Sequence, residues 1–313
     1  MRDSPLRRAV RELTEVKAAD SIEGMHDGLI DLHLHTLCSD GSASPSELVA
    51  SAASKGARAI AITDHDNLAG LAEGREAAVR ASIELIDGVE ISADYQPGTM
   101  HILGYYIDPS SPTLSGALAD LRRAREERNP QIAERLRTLG FNVTMTEVAQ
   151  LAGSEVVGRP HFAKLMVSRG YVSTIKEAFD RYLAKGSPAY VEKRRLDPRE
   201  SIELIHSAGG AAVLAHPYQM KLSWEDTEAK VRELAEYGLD GIEAIYSRHS
   251  PDERDRYSAL AARLGLVITG GSDYHGTYKP DIEVVTGTGD LKVPYSVLGP
   301  LRARAKGRGS NTA

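Results

Sequence analysis

Histidine and acidic residues gather in a few short motifs of this 313-residue chain. His33 and His35 form a His-x-His pair in Asp31-Leu32-His33-Leu34-His35, and Asp40 follows in Cys38-Ser39-Asp40-Gly41. His65 lies in Thr63-Asp64-His65-Asp66, Glu90 in Gly88-Val89-Glu90-Ile91-Ser92, and His216 in Ala215-His216-Pro217. His101 opens an apolar run, and Asp273 and His275 close the motif Gly271-Ser272-Asp273-Tyr274-His275. A lone histidine is more often a surface or core residue than a ligand. Several beside carboxylates make a cation site, and mixed nitrogen and oxygen donors suit Zn, Mn or Fe better than Mg or Ca.

Such donors must be carried to one place. Short apolar runs at Leu29–Leu32, Ala57–Thr63, Ile83–Ile86, Met100–Ile107, Ala211–Ala215, Gly241–Tyr246 and Leu266–Thr269 predict buried strands, and most motifs stand at their ends. Residues two apart on a strand share a side, so His33 and His35 can reach one ion. Helical stretches intervene at Ser44–Lys55, Leu68–Ala81, Pro198–Ser207, Glu225–Tyr237 and Pro251–Leu264. Ser44 with Glu47, and Ser250 with Glu253, have capping-box spacing. Strands alternating with helices predict a parallel α/β sheet or barrel, whose strand tips converge on one face. Clustered there, the nine His, Asp and Glu side chains would repel or desolvate one another without cations.

The alternation stops between Pro112 and Arg195, where helices are predicted over Leu114–Leu139, Thr146–Ala152, Pro160–Ser168 and Ile175–Lys185. Residues 111–195 hold 15 Lys and Arg against 9 Asp and Glu, a net of +6, within a chain of net charge −6. The remainder therefore carries 23 basic and 35 acidic residues, a net of −12. The division expected is a charged N-terminal helix (1–25), a metal-binding barrel (26–110 and 196–300), a basic helical insertion (111–195) and a flexible tail (301–313). Net acidity argues against long duplex nucleic acid as the main partner. No apolar run is long enough for a membrane span, and no signal or transit segment opens the chain. With the single Cys38, these features predict a cytoplasmic protein.

The motifs His-x-His, Ser-Asp-Gly, Thr-Asp-His-Asp, Gly-Val-Glu-Ile, Ala-His-Pro and Gly-Ser-Asp-Tyr-His resemble, in order, those of the PHP (polymerase and histidinol phosphatase) superfamily over about residues 26–290. The likeness is strongest to the stand-alone bacterial phosphoesterases of nucleotides and short oligonucleotides. It implies a distorted seven-stranded (β/α) barrel with a helical insertion, and three divalent metal ions. The first would take His33, His35, Glu90 and Asp273; the second Glu90, His101 and His216; the third Asp40, His65 and His275. Glu90 would bridge two ions, and Glu90 and Asp273 would position a metal-bridging hydroxide for in-line attack on phosphorus. The implied activity is hydrolysis of a 5′-mononucleotide, a 3′,5′-bisphosphate nucleotide or the 5′ ends of short oligonucleotides. Histidinol-phosphate phosphatase is the alternative, followed by an amidohydrolase-type C–N hydrolase and a non-catalytic module.

Gly158-Arg159-Pro160-His161 matches the family's Gly-Arg-Pro-His segment, so Arg159 would hold a substrate phosphate and His161 would touch a phosphate or the leaving group. Lys164, one turn on, can add to that face. Asp64 can orient a ligand and Asp66 can donate a proton, or both can be turn residues. Cys38 reads as a small buried residue and His249 as a loop residue, while Arg194 and Arg195 either contact phosphate or form a solvated charge run. Related phosphoesterases often have Gly-Arg after Ala-His-Pro; this chain has Tyr218-Gln219, and Tyr218 can stack on a base.

Overall fold

The computed structural model describes residues 28–152, 157–192 and 195–309. The expected N-terminal helix and Arg194 lie outside them. Eight strands are present among the described residues: β1 (Leu29–Leu34), β2 (Ala59–Ile62), β3 (Glu84–Ser92), β4 (His101–Tyr105), β5 (Ala211–Leu214), β6 (Gly241–Tyr246), β7 (Val267–Gly271) and β8 (Val293–Pro294). They form one sheet in the order β7-β6-β5-β4-β3-β2-β1-β8. The sheet curls into a nearly closed barrel, because the backbone just past β7 returns to β1. Asp273 N donates to His33 O at 2.9 Å, and His35 N donates to Tyr274 O at 3.1 Å. Gly271 makes this approach possible, since a Cβ there would stand 2.4 Å from the His33 Cβ.

The seven expected strands are all present, and the eighth is a two-residue edge piece antiparallel to β1. One departure from the expected parallel order has a simple cause. β4 runs antiparallel to both β3 and β5. The segment between Ser92 and His101 is too short to hold the crossover helix a parallel return needs.

Helices α1 (Pro45–Ser54), α2 (Gly70–Ala81), α8 (Trp224–Glu236) and α9 (Pro251–Leu264) follow strands, α7 (Pro198–Ser207) leads into β5, and all five cover the barrel. Between α2 and α7 stand α3 (Pro112–Thr138), α4 (Met145–Ala152), α5 (Arg159–Ser168) and α6 (Ile175–Ala178), the last running into a wide helical turn over Phe179–Leu183. The capping boxes at Ser44 and Ser250 both form, with Glu47 and Glu253 answering the cap backbone. No described helix is long and apolar enough to cross a membrane.

The core has three parts. The outer face of the sheet, with Leu34, Ile60, Ile62, Val89 and Leu214, packs on the covering helices. The inner face, with Ile30, Leu32, Ala59, Leu103 and Val213, fills the barrel. A separate cluster joins Ile132, Leu136, Phe162, Met166 and Leu183 within the helical cap. Helix α3 belongs to two of these: Leu114, Leu118 and Leu121 pack on the barrel, while Ile132 and Leu136 lie in the cap.

Residues 298–309 form a final helix, α10, where a flexible tail from 301 was expected. Its Leu298, Leu301 and Ala305, three and four residues apart, insert into the barrel-filling cluster, and Arg302 Nη2 bonds Glu84 at 2.5 Å. The basic, small-residue composition concealed this apolar stripe. Replacing the fully buried Leu301 with Ala is expected to lower the free energy of unfolding by about 2–5 kcal/mol. Denaturant unfolding measures this, and an unchanged midpoint would mean that α10 adds nothing to the barrel.

Candidate metal centre

Strand geometry brings all nine predicted residues to one end of the barrel. β1 carries a register shift against β2 between Asp31 and Leu34. Before the shift, Ile30 and Leu32 face the barrel filling; after it, Leu34 faces the outer core. The bulge thereby turns His33 and His35 inward at the mouth. Glu90 lies within β3, two residues before its end, and His101 opens β4. Two backbone positions are strained as they enter the site: His216 has φ 26° and Asp273 has φ 58°, in the region that favours glycine.

Glu90, 1% exposed, is the focus of the cluster. His33 Nε2, His35 Nε2 and His65 Nδ1 stand 3.3, 3.2 and 3.1 Å from its Oε2. His101 Nδ1 and His216 Nε2 stand 2.7 and 3.0 Å from its Oε1. Asp273 Oδ1 lies 3.7 Å from His33 Nε2, 3.4 Å from His35 Nε2 and 3.3 Å from His275 Nδ1. Asp40 reaches His275 Nε2 at 3.3 Å and His65 Nε2 at 3.6 Å. All nine donors thus lie near one another, but they group differently from the expected sets: His216 stands with His33 and Glu90, and His101 with His65 and Glu90. His35 also approaches Asp40, at 3.6 Å, and His65 belongs to groups around both Asp40 and Glu90.

These donors suit metal ions for a physical reason. His33 Nε2, His35 Nε2, His65 Nδ1 and Glu90 Oε2 are buried, face one another, and have no hydrogen-bond partner. Leaving four such atoms unpaired would be costly, whereas a divalent cation satisfies them together. Burial disfavours charge on Glu90, yet His65, His101 and His33 hold its carboxyl well below the usual range. Burial pushes His65 down to about 3, which keeps it in the neutral, ligating form. Burial also opposes charge on His35, but Asp273 and Glu90 prevail and raise it to about 9. A cation must therefore compete with a proton for that ring.

Residues that motif reading passed over surround the cluster. Glu243, on β6 and fully buried, accepts from His33 Nδ1 at 2.9 Å and from the His216 backbone N–H at 2.8 Å. It thus fixes which His33 nitrogen faces Glu90. Tyr246 Oη and Lys279 Nζ each donate to Asp273 Oδ2 at 2.7 Å, leaving Oδ1 for the cluster. A carboxylate inside the apolar run Gly241–Tyr246 was the one available signal for Glu243, and its partner shows only in three dimensions.

The remaining candidates divide. Asp64 accepts from Thr36 N at 2.8 Å and from the Ser39 hydroxyl at 2.5 Å, so it shapes the loop between His35 and Asp40. Asp66 is buried and bound to Arg125 at 2.6 Å, which ties α3 to the barrel. Arg159, His161 and Lys164 line the same cleft of about 630 Å³ as Asp40, Glu90 and Asp273. Arg159 Nη1 donates to Leu183 O at 3.0 Å, and Gly158 N donates to His161 Nδ1 at 3.0 Å. Lys164 is exposed, with Nζ 5.3 Å from the Tyr278 ring centre. Cys38 is half-buried. His249 is buried, and Tyr218 packs on Tyr246 and His249 rather than lining the cleft.

A nearly closed α/β barrel with imidazoles and carboxylates converging at its mouth defines a class of protein, the metal-dependent barrel hydrolases. This chain belongs to the PHP domain family, whose profile matches residues 31–244. It is 35% identical over 247 residues to the 3′,5′-nucleoside bisphosphate phosphatase of Chromobacterium violaceum, covering 79% of this chain and 87% of that protein. It is 37% identical over 249 residues to the 5′-3′ exoribonuclease Rnm of Escherichia coli, covering 79% and 85%. A crystal structure from Bifidobacterium adolescentis, provisionally termed a metal-dependent phosphoesterase, superposes with a TM-score of 0.74 at 33% identity over 88% of this chain and 96% of that one. The chain is an enzyme of this kind, a hydrolase of phosphate esters from a metal-dependent family.

Glu243→Gln keeps the side-chain shape but weakens the anchor on His33. It is expected to reduce metal affinity about 10- to 100-fold with the fold retained. Competition with a chelating dye, alongside circular dichroism, reads both quantities; affinity equal to wild type would show that Glu243 does not serve the centre.

Proposed function

We propose that the protein hydrolyses phosphate esters of nucleotides (5′-mononucleotides or 3′,5′-bisphosphates) and the 5′ ends of short oligonucleotides. Three divalent cations, Mn, Zn or Fe, would be held by His33, His35, Asp40, His65, Glu90, His101, His216, Asp273 and His275. The observation that carries this reading is the pairing of two walls in one cleft. One wall is the cluster around Glu90, and the other bears Arg159, His161 and Lys164. The names of the relatives, a nucleoside bisphosphate phosphatase and a 5′-3′ exoribonuclease, support the same substrate class.

Bound divalent ions supply Lewis acidity toward a phosphoryl oxygen and make water more acidic. The side chains supply the rest. Glu90 and Asp273 set opposite sides of the cluster, and Tyr246 and Lys279 hold Asp273 in one orientation. Arg159 neutralises substrate phosphate with a planar fork of donors. Asp66 does not act as the acid, because its carboxylate is engaged by Arg125.

Purified protein with Mn²⁺ is expected to release phosphate or mononucleotides from this series, and to lose activity to a chelator. Asp273→Ala should abolish turnover. Arg159→Ala should raise KM about tenfold or more and change kcat less, as expected for a lost charge-assisted contact. Steady-state assays across mono-, bis- and oligonucleotides test these outcomes, and no release from any substrate would overturn the assignment.

A further inference from the structure

The cap has a core of its own, so its placement beside the mouth depends on contacts made between the two parts. Ile132, Phe162, Met166 and Leu183 form a cluster separate from both barrel clusters. Helix α3 passes through both parts, and its Arg125 and Arg122 hold Asp66, at Oδ2 (2.6 Å) and at the backbone carbonyl (3.1 Å). Helices α4 and α5 are reached from the barrel by another residue. Tyr278 Oη donates to Ala152 O at 2.5 Å. Ala152 ends α4, where helix carbonyls lack partners within the helix. Lys164 of α5 places its Nζ 5.3 Å from the centre of the Tyr278 ring, at cation–π distance.

Tyr278 belongs to a segment otherwise committed to the metal cluster. It lies in a short helical turn, Gly276–Tyr278, between His275 and Lys279. Gly276, at φ 64°, packs directly on Ser42, and a Cβ there would overlap the Ser42 hydroxyl. Thr277 N donates to the same hydroxyl at 2.8 Å, which ties the turn to the loop that carries Asp40. Beyond the turn, Lys279 Nζ holds Asp273 Oδ2 at 2.7 Å. One turn with its flanking lysine therefore touches α4, α5, the Asp40 loop and Asp273.

We propose that Tyr278 is a positioning residue that fixes α4 and α5 against the mouth, so that Arg159 and Lys164 stand where a substrate on the metal cluster meets them. Its hydroxyl caps α4, and its ring seats the Lys164 ammonium. It touches no reacting atom. It acts through the two cap helices, and so on substrate affinity more than on turnover. The proposal rests on the phosphoesterase reading above only for the ligand that the cleft receives.

The test compares wild type, Tyr278→Phe and Tyr278→Leu, each loaded with Mn²⁺. Tyr278→Phe keeps the ring and loses the hydroxyl, while Tyr278→Leu loses both. KM for a 5′-mononucleotide is expected to rise about three- to tenfold in Tyr278→Phe and further in Tyr278→Leu, with kcat within about twofold of wild type. Backbone amides of α4 and α5 are expected to exchange with deuterium faster in both variants, while those of β1, β3 and β7 keep the wild-type rate. Metal affinity from dye competition should equal that of wild type. Unchanged exchange in α4 and α5, or an unchanged KM, overturns the proposal. So does a fall in kcat with a loss of metal affinity, which would show that Tyr278 serves Asp273 and not the cap. Should Tyr278→Leu fail to fold by circular dichroism, Tyr278→Phe alone decides. If wild type hydrolyses no nucleotide, the phosphoesterase reading falls and calorimetric affinity for the mononucleotide replaces KM. Weaker binding together with faster exchange then supports the positioning role, and the absence of either overturns it.

Discussion

A single buried carboxylate organises this protein. Glu90 is almost without water, and five imidazoles point at its two oxygens from 2.7 to 3.3 Å. An unpaired charge in such a place costs several kcal/mol at least, on the order expected for ion desolvation. The imidazoles can answer it only if β1, β4, β5 and the loop after β2 end within a few ångströms of the third strand. That condition is met by a sheet curled into a barrel and by little else. Glu243, Tyr246 and Lys279 extend the arrangement outward by fixing His33 and Asp273.

Closure of the barrel is therefore part of the site and not merely its support. The backbone of His33 accepts from Asp273 N, so two members of the cluster are joined by a main-chain hydrogen bond. Gly271 permits the close approach of β7, and the bulge in β1 aims His33 and His35 inward while Leu34 returns to the outer core. Positive φ at His216 and Asp273 shows where the backbone yields to the geometry of the cluster. At the opposite end, Leu298 and Leu301 of α10 complete the filling of the barrel.

Helix α3 connects the second wall to the first. Its N-terminal half packs on the barrel, its C-terminal half lies in the core of the cap, and Arg125 between them grips Asp66 beside His65. The basic segment thus stands across from the acidic mouth as the far side of a single cleft. Arg159 and Lys164 from the basic segment and Asp40, Glu90 and Asp273 from the barrel therefore line one cleft, with opposite charges able to meet one ligand.

Much of this was legible from residue order alone. The seven main strands, the helices between them and the nine clustered donors all follow from local signals, because apolar runs, caps and the chemistry of imidazole and carboxylate do not depend on distant context. The antiparallel β4, the α10 plug and the anchoring role of Glu243 did not. Each depends on a contact between residues far apart in the chain: β4 on its neighbours in the sheet, Leu301 on a barrel still to be filled, and Glu243 on a histidine 210 residues away. The amino-acid sequence by itself determined which donors are present and on which elements they ride. Tertiary structure alone decided that they share Glu90 and face Arg159 across one cleft, since that depends on barrel closure and on where the cap stands, and neither is a property of any local segment.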